Sequence, residues 1–218
     1  MSPSARDAPV IFVLAGVNGA GKSSIGGAQL LQEGLNYFNP DEAARRIGDA
    51  VGCSIDEANA LAWHEGKRRL EEAIASRSNY AFESTLGGRT IPRLLAAAAE
   101  AGFEVLVWFA GLSTPAQHIA RVRARVAAGG HDIPEEKIKE RWDTSRRNLI
   151  ALMPLLKELK VYDNTGEGDP AAGTIPEPIL LLHWRRGRIV SPSVEVLRQT
   201  PEWAKAIVAR ARQLQRGG

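Results

Sequence analysis

Short apolar runs recur along the chain, and each gives way to small or polar residues before a stretch of helical spacing begins. Val10, Ile11, Phe12, Val13 and Leu14 are continuously apolar, the pattern of a strand covered on both faces in a parallel sheet. Leu35, Tyr37 and Phe38 alternate as a short second strand, Asn79 to Phe82 reads as a third, FEVLVWFA from Phe103 to Ala110 as a fourth and Leu159 to Asp163 as a fifth. Between them lie helical stretches at Ser24 to Glu33, Glu42 to Gly48, Ser54 to Ser76, Thr90 to Ala101, Thr114 to Ala127 and Pro134 to Leu149. The longest opens with a Ser54, Glu57 capping box and carries Ile55, Ala58, Leu61, Ala62, Leu70, Ala73 and Ile74 on helical spacings, which reads as scaffold. Alternation of strand and helix predicts an α/β fold with a parallel central sheet. Beyond a Gly- and Pro-rich segment, Gly166 to Pro178, Ile179 to Trp184 and Arg188 to Val190 predict a hairpin, and Ser193 to Arg216 a helix interrupted near Pro201. The expected organisation is a tail at 1–9, a core at 10–165 that includes a helical lid at 114–149, and an extension at 166–218 packed on the core.

The first apolar run breaks into Gly16, Val17, Asn18, Gly19, Ala20, Gly21, Lys22, Ser23 and Ser24. Gly16, four residues, then Gly21, Lys22 and Ser23 is the spacing of a phosphate-binding loop. Its backbone N–H groups cradle phosphate oxygens, its lysine meets the outer phosphates and its serine hydroxyl holds Mg2+. A buried strand before the loop and a helix N-terminus after it are the context this chemistry needs. The pattern implies a nucleoside triphosphate with Mg2+. An Asn-Lys-x-Asp guanine motif is absent from the chain, which disfavours GTPase function.

In an open parallel sheet, ligands sit beyond the carboxyl ends of the strands, so polar residues at strand ends are the other candidates. Asp41 follows the second strand in Asn39-Pro40-Asp41-Glu42 and either caps the next helix or faces the loop. Glu83, Ser84 and Thr85 end the third strand, ahead of Gly87, Gly88 and Arg89. They either cap a helix, orient a sugar or ribose hydroxyl, or reach the metal through water. Arg121, Arg123, Arg125, Lys137, Lys139, Arg141, Arg146 and Arg147 flank the Gly129-Gly130 turn against five acidic residues, the composition of a lid that closes arginines over a triphosphate or of an ordinary solvated surface.

At 218 residues and 44% hydrophobic content the chain suits one sizeable core, and a net charge of +3 is too small to argue for nucleic acid or a membrane. The basic stretch from Arg185 onward has a single aromatic residue, Trp203, too few for a stacking platform, and reads as a solvated tail. The single cysteine, Cys53, has no partner and reads as structural; His64 has none at metal-ligand spacing. The polar residues 1–9 and the short apolar run after them give no export or spanning signal, so the cytoplasm is the expected compartment.

Taken together, AGVNGAGKSS, FNPDE, FESTLGG, RVRARVAAGGHDIP, RW, SRRNL and VYDN resemble the zeta-toxin family of P-loop kinases, over roughly residues 10 to 165. The resemblance implies a P-loop kinase-type three-layer α/β/α fold, ATP with Mg2+ as donor, and phosphorylation of the sugar 3'-hydroxyl of UDP-N-acetylglucosamine. It also implies restraint by a separate antitoxin-like protein. Carried onto this chain, Lys22 and Ser23 match the phosphate and metal residues, Asp41 the base on the acceptor hydroxyl, Glu83 and Thr85 the acceptor site, and Arg125 a lid arginine. Two positions depart from the family pattern. Gly87 stands where the family places an arginine, with Arg89 the nearest, and His131 stands at the second lid position, for which Arg141 is the expected substitute. The rival readings are a kinase for a nucleoside, dinucleotide or polynucleotide end, and a nucleotide-dependent switch protein.

Overall fold

The computed structural model describes residues 8–22, 25–26, 37–166 and 177–217. Ser23, Ser24, most of the helix expected to Glu33, and Leu35 lie outside the described residues. The core runs β1 (Val10–Ala15), β2 (Tyr37–Phe38), α1 (Pro40–Val51), α2 (Ile55–Ser76), β3 (Tyr80–Ser84), α3 (Thr90–Glu100), β4 (Glu104–Gly111), α4 (Pro115–Ala127), α5 (Glu135–Leu152) and β5 (Glu158–Asp163). It continues through β6 (Ile179–Arg185), β7 (Arg188–Ser191), α6 (Val194–Leu197) and α7 (Lys205–Gly217).

The strands form one sheet in the order β2-β3-β1-β4-β5-β6-β7. The pairs from β2 to β5 are parallel and the last two strands are antiparallel, so the fold is a three-layer α/β/α arrangement of the P-loop kinase type with an antiparallel edge. Alternate strand positions feed two core faces. Ile11, Val13, Val105, Val107 and Phe109 join the main core, while Phe12, Leu14 and Ala81 pack on the other face with Trp108. The apolar run of β1 is explained by its central place, covered on both faces.

Two features of this sheet position the site. The chain leaves β1 for β2 and β3 on one side and then crosses to β4 on the other, which opens a crevice at the carboxyl end of β1. Register does the rest: Leu14 lies between Glu83 and Trp108, and Ala15 between Ser84 and Phe109. Glu83 therefore arrives beside the loop that follows β1.

The basic stretch from Arg185 onward is a solvated surface on one face only, and the rest of it packs on the core. The hairpin extends the sheet from β5, Leu182 and Trp184 join the main core, and α7 buries Ile207, Val208 and Ala211. Trp203 lies so close over Gly111 that an added Cβ there would meet its ring at 2.3 Å. The amphipathic spacing of α7 accounts for this: its basic residues occupy the remaining face.

Candidate active site

The loop between β1 and Lys22 is held mainly through its backbone. The Gly16 N–H donates to the Ser84 carbonyl at 3.1 Å, tying the loop to β3. Gly16, Gly19 and Gly21 have φ of 145°, 80° and 75°, values that side-chain-bearing residues rarely adopt. At Gly21 a Cβ would also sit 2.2 Å from Nδ2 of Asn164. That amide donates to the Ala20 carbonyl at 2.9 Å, and Arg121 on α4 donates to the carbonyls of Asn164 and Gly166 at 2.8 and 3.0 Å. Lys22 folds over the loop, its Nζ donating to the Gly16 carbonyl at 3.1 Å and standing 3.9 Å from Oε2 of Glu83.

Next to Lys22 opens a cavity of about 530 Å³, bounded by the loop, the ends of β2 and β3, one face of α2 and the start of α5. Asp41, Glu83, Thr85, Arg89, Asn18 and Arg141 all line it, which brings together the residues singled out at three strand ends. Asp41 is not a helix cap. Asn39 caps α1, its Oδ1 accepting from the N–H groups of Asp41 and Glu42 at 2.9 and 3.2 Å. The Asp41 carboxylate instead accepts from Nη1 of Arg125 at 3.0 Å, and Nη2 of Arg125 donates to the His131 carbonyl at 3.2 Å.

Glu83 is not a cap either: α3 begins at Arg89 with no side-chain cap bond. Glu83 is 8% exposed and accepts from the Tyr37 hydroxyl at 2.5 Å and from Nδ2 of Asn39 at 3.2 Å. Burial first, and the Glu83 charge second, raise the Tyr37 phenol above its usual pKa, so it stays a donor. Thr85 accepts from the Gly87 N–H at 3.3 Å, and Arg89 stands exposed at the rim.

Arg141 comes from α5 to the place where position 87 lies open. Its Nη1 donates to Oδ1 of Asn18 at 2.8 Å, and a Cβ on Gly87 would sit 2.7 Å from its Cγ. The glycine at 87 thus admits the arginine from the neighbouring helix. Burial lowers the Arg141 pKa from its usual value, but a guanidinium remains charged. Below Arg141, α5 is tied to the β3–α3 connection: Ser145 donates to the Thr85 carbonyl, and Asn148 Nδ2 to the carbonyls of Leu86 and Gly88 at 2.6 and 2.9 Å. Arg146 lies 3.5 Å from the Trp142 ring centroid, and Arg123 pairs with Glu135.

Sequence reasoning missed the α2 wall. Asp56, Asn59, Trp63 and Lys67 line the cavity, so this helix is more than scaffold. The signal was present, because these positions recur every three or four residues along one face. His64 is exposed with its ring T-shaped to that of Trp63, and Cys53 is half-buried against the core. Among the described residues, no group of three or more His, Cys, Asp or Glu is placed to hold a metal ion. Among them too, no helix is long and apolar enough to cross a membrane. Ser23, the expected Mg2+ ligand, lies outside the described residues.

The family described as AAA domain matches residues 11–151. An uncharacterized protein of Haemophilus influenzae is 32% identical over 133 residues, which is 58% of this chain and 88% of that protein. Among solved structures, the AvrRxo1-ORF1:-ORF2 complex superposes with a TM-score of 0.61 at 15% identity, covering 94% of this chain and 70% of that one. The PezAT chromosomal toxin-antitoxin system of Streptococcus pneumoniae gives 0.56 at 13% identity, with 97% and 88% covered. At these identities the likeness establishes a shared fold.

Proposed function

Because the chain belongs to the AAA domain family, we propose that it is an ATP- and Mg2+-dependent kinase that transfers the γ-phosphoryl group to a sugar hydroxyl, UDP-N-acetylglucosamine being the first candidate acceptor. The observation that carries the reading is the cavity beside Lys22, where a carboxylate, a buried glutamate and an arginine from three different elements meet. Phosphoryl transfer asks a protein mainly to hold the acceptor in line and neutralise the transferring oxygens. Lys22 and the loop N–H groups bind the triphosphate, and Ser23 would hold Mg2+, which would supply charge neutralisation at the phosphate oxygens. Asp41 takes the acceptor proton; Glu83, Thr85 and Arg89 position the acceptor; Arg141 and Arg125 stabilise the charge on the moving group.

For Arg125 the role requires a change of partner. It occupies the Asp41 carboxylate here, so an incoming phosphate would draw it away and leave the base free for the hydroxyl. Because α5 is tied to the core below Arg141, closure on this reading is confined to the turn and the first residues of α5.

The cavity supports an acceptor with two parts. From Asp56 to Lys67 its α2 wall spans twelve residues, roughly 16 Å at helical rise, longer than a monosaccharide. Trp63, 44% exposed within it, offers a ring face to a planar base. Two solved relatives of this fold are complexes or systems with a second protein, one named a toxin-antitoxin system, which supports a separate antitoxin-like partner. The test is a transfer assay with ATP and Mg2+, read by mass shift, offering UDP-N-acetylglucosamine, free N-acetylglucosamine, uridine and an oligonucleotide. Preferential phosphorylation of the first is expected. Preference for the nucleoside or oligonucleotide would overturn the acceptor, and no transfer with intact ATP binding would favour a switch protein.

A further inference from the structure

The proposed chemistry leaves unused one buried side chain that touches the phosphate loop. His118, near the start of α4, is 1% exposed, and its Nδ1 lies 2.9 Å from the Asn18 carbonyl. A carbonyl only accepts, so Nδ1 carries the hydrogen and Nε2 is a bare lone pair. Nε2 is buried and has no hydrogen-bond partner among the described residues. Burial pushes the imidazole pKa down to about 4, the cations Lys22, Arg121 and Arg146 adding to the shift and the bond to Asn18 opposing it. The ring is therefore neutral near pH 7, in a single tautomer. The backbone of the same residue also lies close to the loop, since a Cβ on Gly19 would lie 2.7 Å from the His118 carbonyl oxygen.

The other side of Asn18 faces the acceptor. Its Oδ1 accepts from Nη1 of Arg141 at 2.8 Å, and both residues line the cavity. One loop residue is thus held from beneath by α4 and in turn holds an arginine of α5. Asn18 is itself 7% exposed, so its peptide has little water to turn to if the imidazole is removed.

We infer that His118 is a positioning residue, whose Nδ1–H fixes the Asn18 peptide and, through the Asn18 side chain, sets where Arg141 stands over the acceptor cavity. Loss of that donor leaves a buried carbonyl unpaired; the peptide reorients and Arg141 loses its anchor. The consequence for transfer rests on the kinase reading above, whereas the placement of Arg141 does not. Chemistry also names the rescue. An asparagine amide nitrogen falls close to the position of histidine Nδ1, so His118→Asn restores the donor, whereas His118→Leu fills the space without one.

The experiment combines a mutant cycle with a readout that needs no turnover. Arg141 guanidinium NMR signals, assigned by their loss in Arg141→Gln, are expected to shift in His118→Leu and to return in His118→Asn. In parallel, His118→Leu is expected to slow transfer about tenfold in the wild-type background and less than about twofold when Arg141 is already glutamine, the size of coupling found between residues in one hydrogen-bonded network. Should His118→Leu fail to fold, Asn18→Ala cuts the same path from its other end and must shift the same Arg141 signals. Unmoved Arg141 signals in whichever of these two variants folds, or rate losses that simply multiply in the cycle, would overturn the inference and leave His118 a packing residue. Absence of any transfer by the wild type would count against the kinase reading alone, because the NMR arm reads the placement directly.

Discussion

The two sides of the cleft are built from different material. On the phosphate side the bonds run to main-chain groups: the N–H of Gly16 and the carbonyls of Asn18 and Ala20 are engaged by β3, α4 and the end of β5. On the acceptor side side chains do the facing, several of them solvent-accessible, with Asp41 at 46% and Trp63 at 44%. A backbone cradle reads only phosphate, which every nucleotide carries. A wall of side chains changes one residue at a time without disturbing the cradle, so the proposed function places acceptor choice there.

If that contrast is right, substitutions on the two sides must fail differently. On the phosphate side the largest effect is expected of Lys22→Ala, which should lower transfer by about 10² to 10³, the cost of removing one preorganised charge from a transferring group, and weaken ATP binding, as read by initial rates and equilibrium titration. Wild-type affinity and turnover in this variant would contradict the assignment of the loop.

The buried support of the loop should also be visible in stability. The unfolded imidazole takes its proton near 6.5, while folded His118 stays neutral until about 4, so between those values the unfolded chain binds more protons and stability falls as the pH drops. Above 6.5 the contribution is complete and flat. Denaturant unfolding at pH 7 and pH 4.5 should show wild type losing roughly 2 kcal/mol more than His118→Asn, which has no ring to titrate. Equal losses would mean the ring is protonated in the fold.

Smaller effects belong to Trp63 and Gly87 on the acceptor wall and must leave ATP affinity unchanged. Trp63→Ala should raise the acceptor KM roughly tenfold if a base stacks on the ring, and leave the KM of free N-acetylglucosamine where it was. Gly87→Ala, whose Cβ would crowd Arg141 Cγ at 2.7 Å, should cost a few-fold in kcat, more for a charged acceptor than for uridine. Identical behaviour with both acceptors would separate Arg141 from charge neutralisation.

How much of this was legible in the sequence follows the same division. The strand and loop from Val10 to Lys22 announce themselves because a central parallel strand must be apolar throughout and the loop needs glycines at set spacings. Asp41 was ambiguous because Asn39, Asp41 and Glu42 are all plausible at a helix start, and only the fold reveals that Asn39 does the capping. The α2 face was readable as a stripe of Asp56, Asn59, Trp63 and Lys67, but the apolar residues on the opposite face drew the helix reading toward the core. His118 was beyond reach: nothing local distinguishes it, and its role exists only because α4 passes beneath the loop, a hundred residues away in sequence. In the C-terminal stretch the hairpin and helix were legible from periodicity, but the charge count drew the reading of Arg185 onward toward a solvated tail, while Trp203, Ile207 and Val208 pack inward.

The most direct test of the division is Asp41→Asn, assayed for ATP affinity by titration and for transfer to UDP-N-acetylglucosamine by mass shift in the same preparation. With the base on the acceptor wall and the cradle elsewhere, ATP should bind as in wild type while transfer falls by roughly 10² to 10⁴, the range for losing a positioned acid-base group. Wild-type transfer, or a loss of ATP binding that accounts for the whole defect, would contradict it.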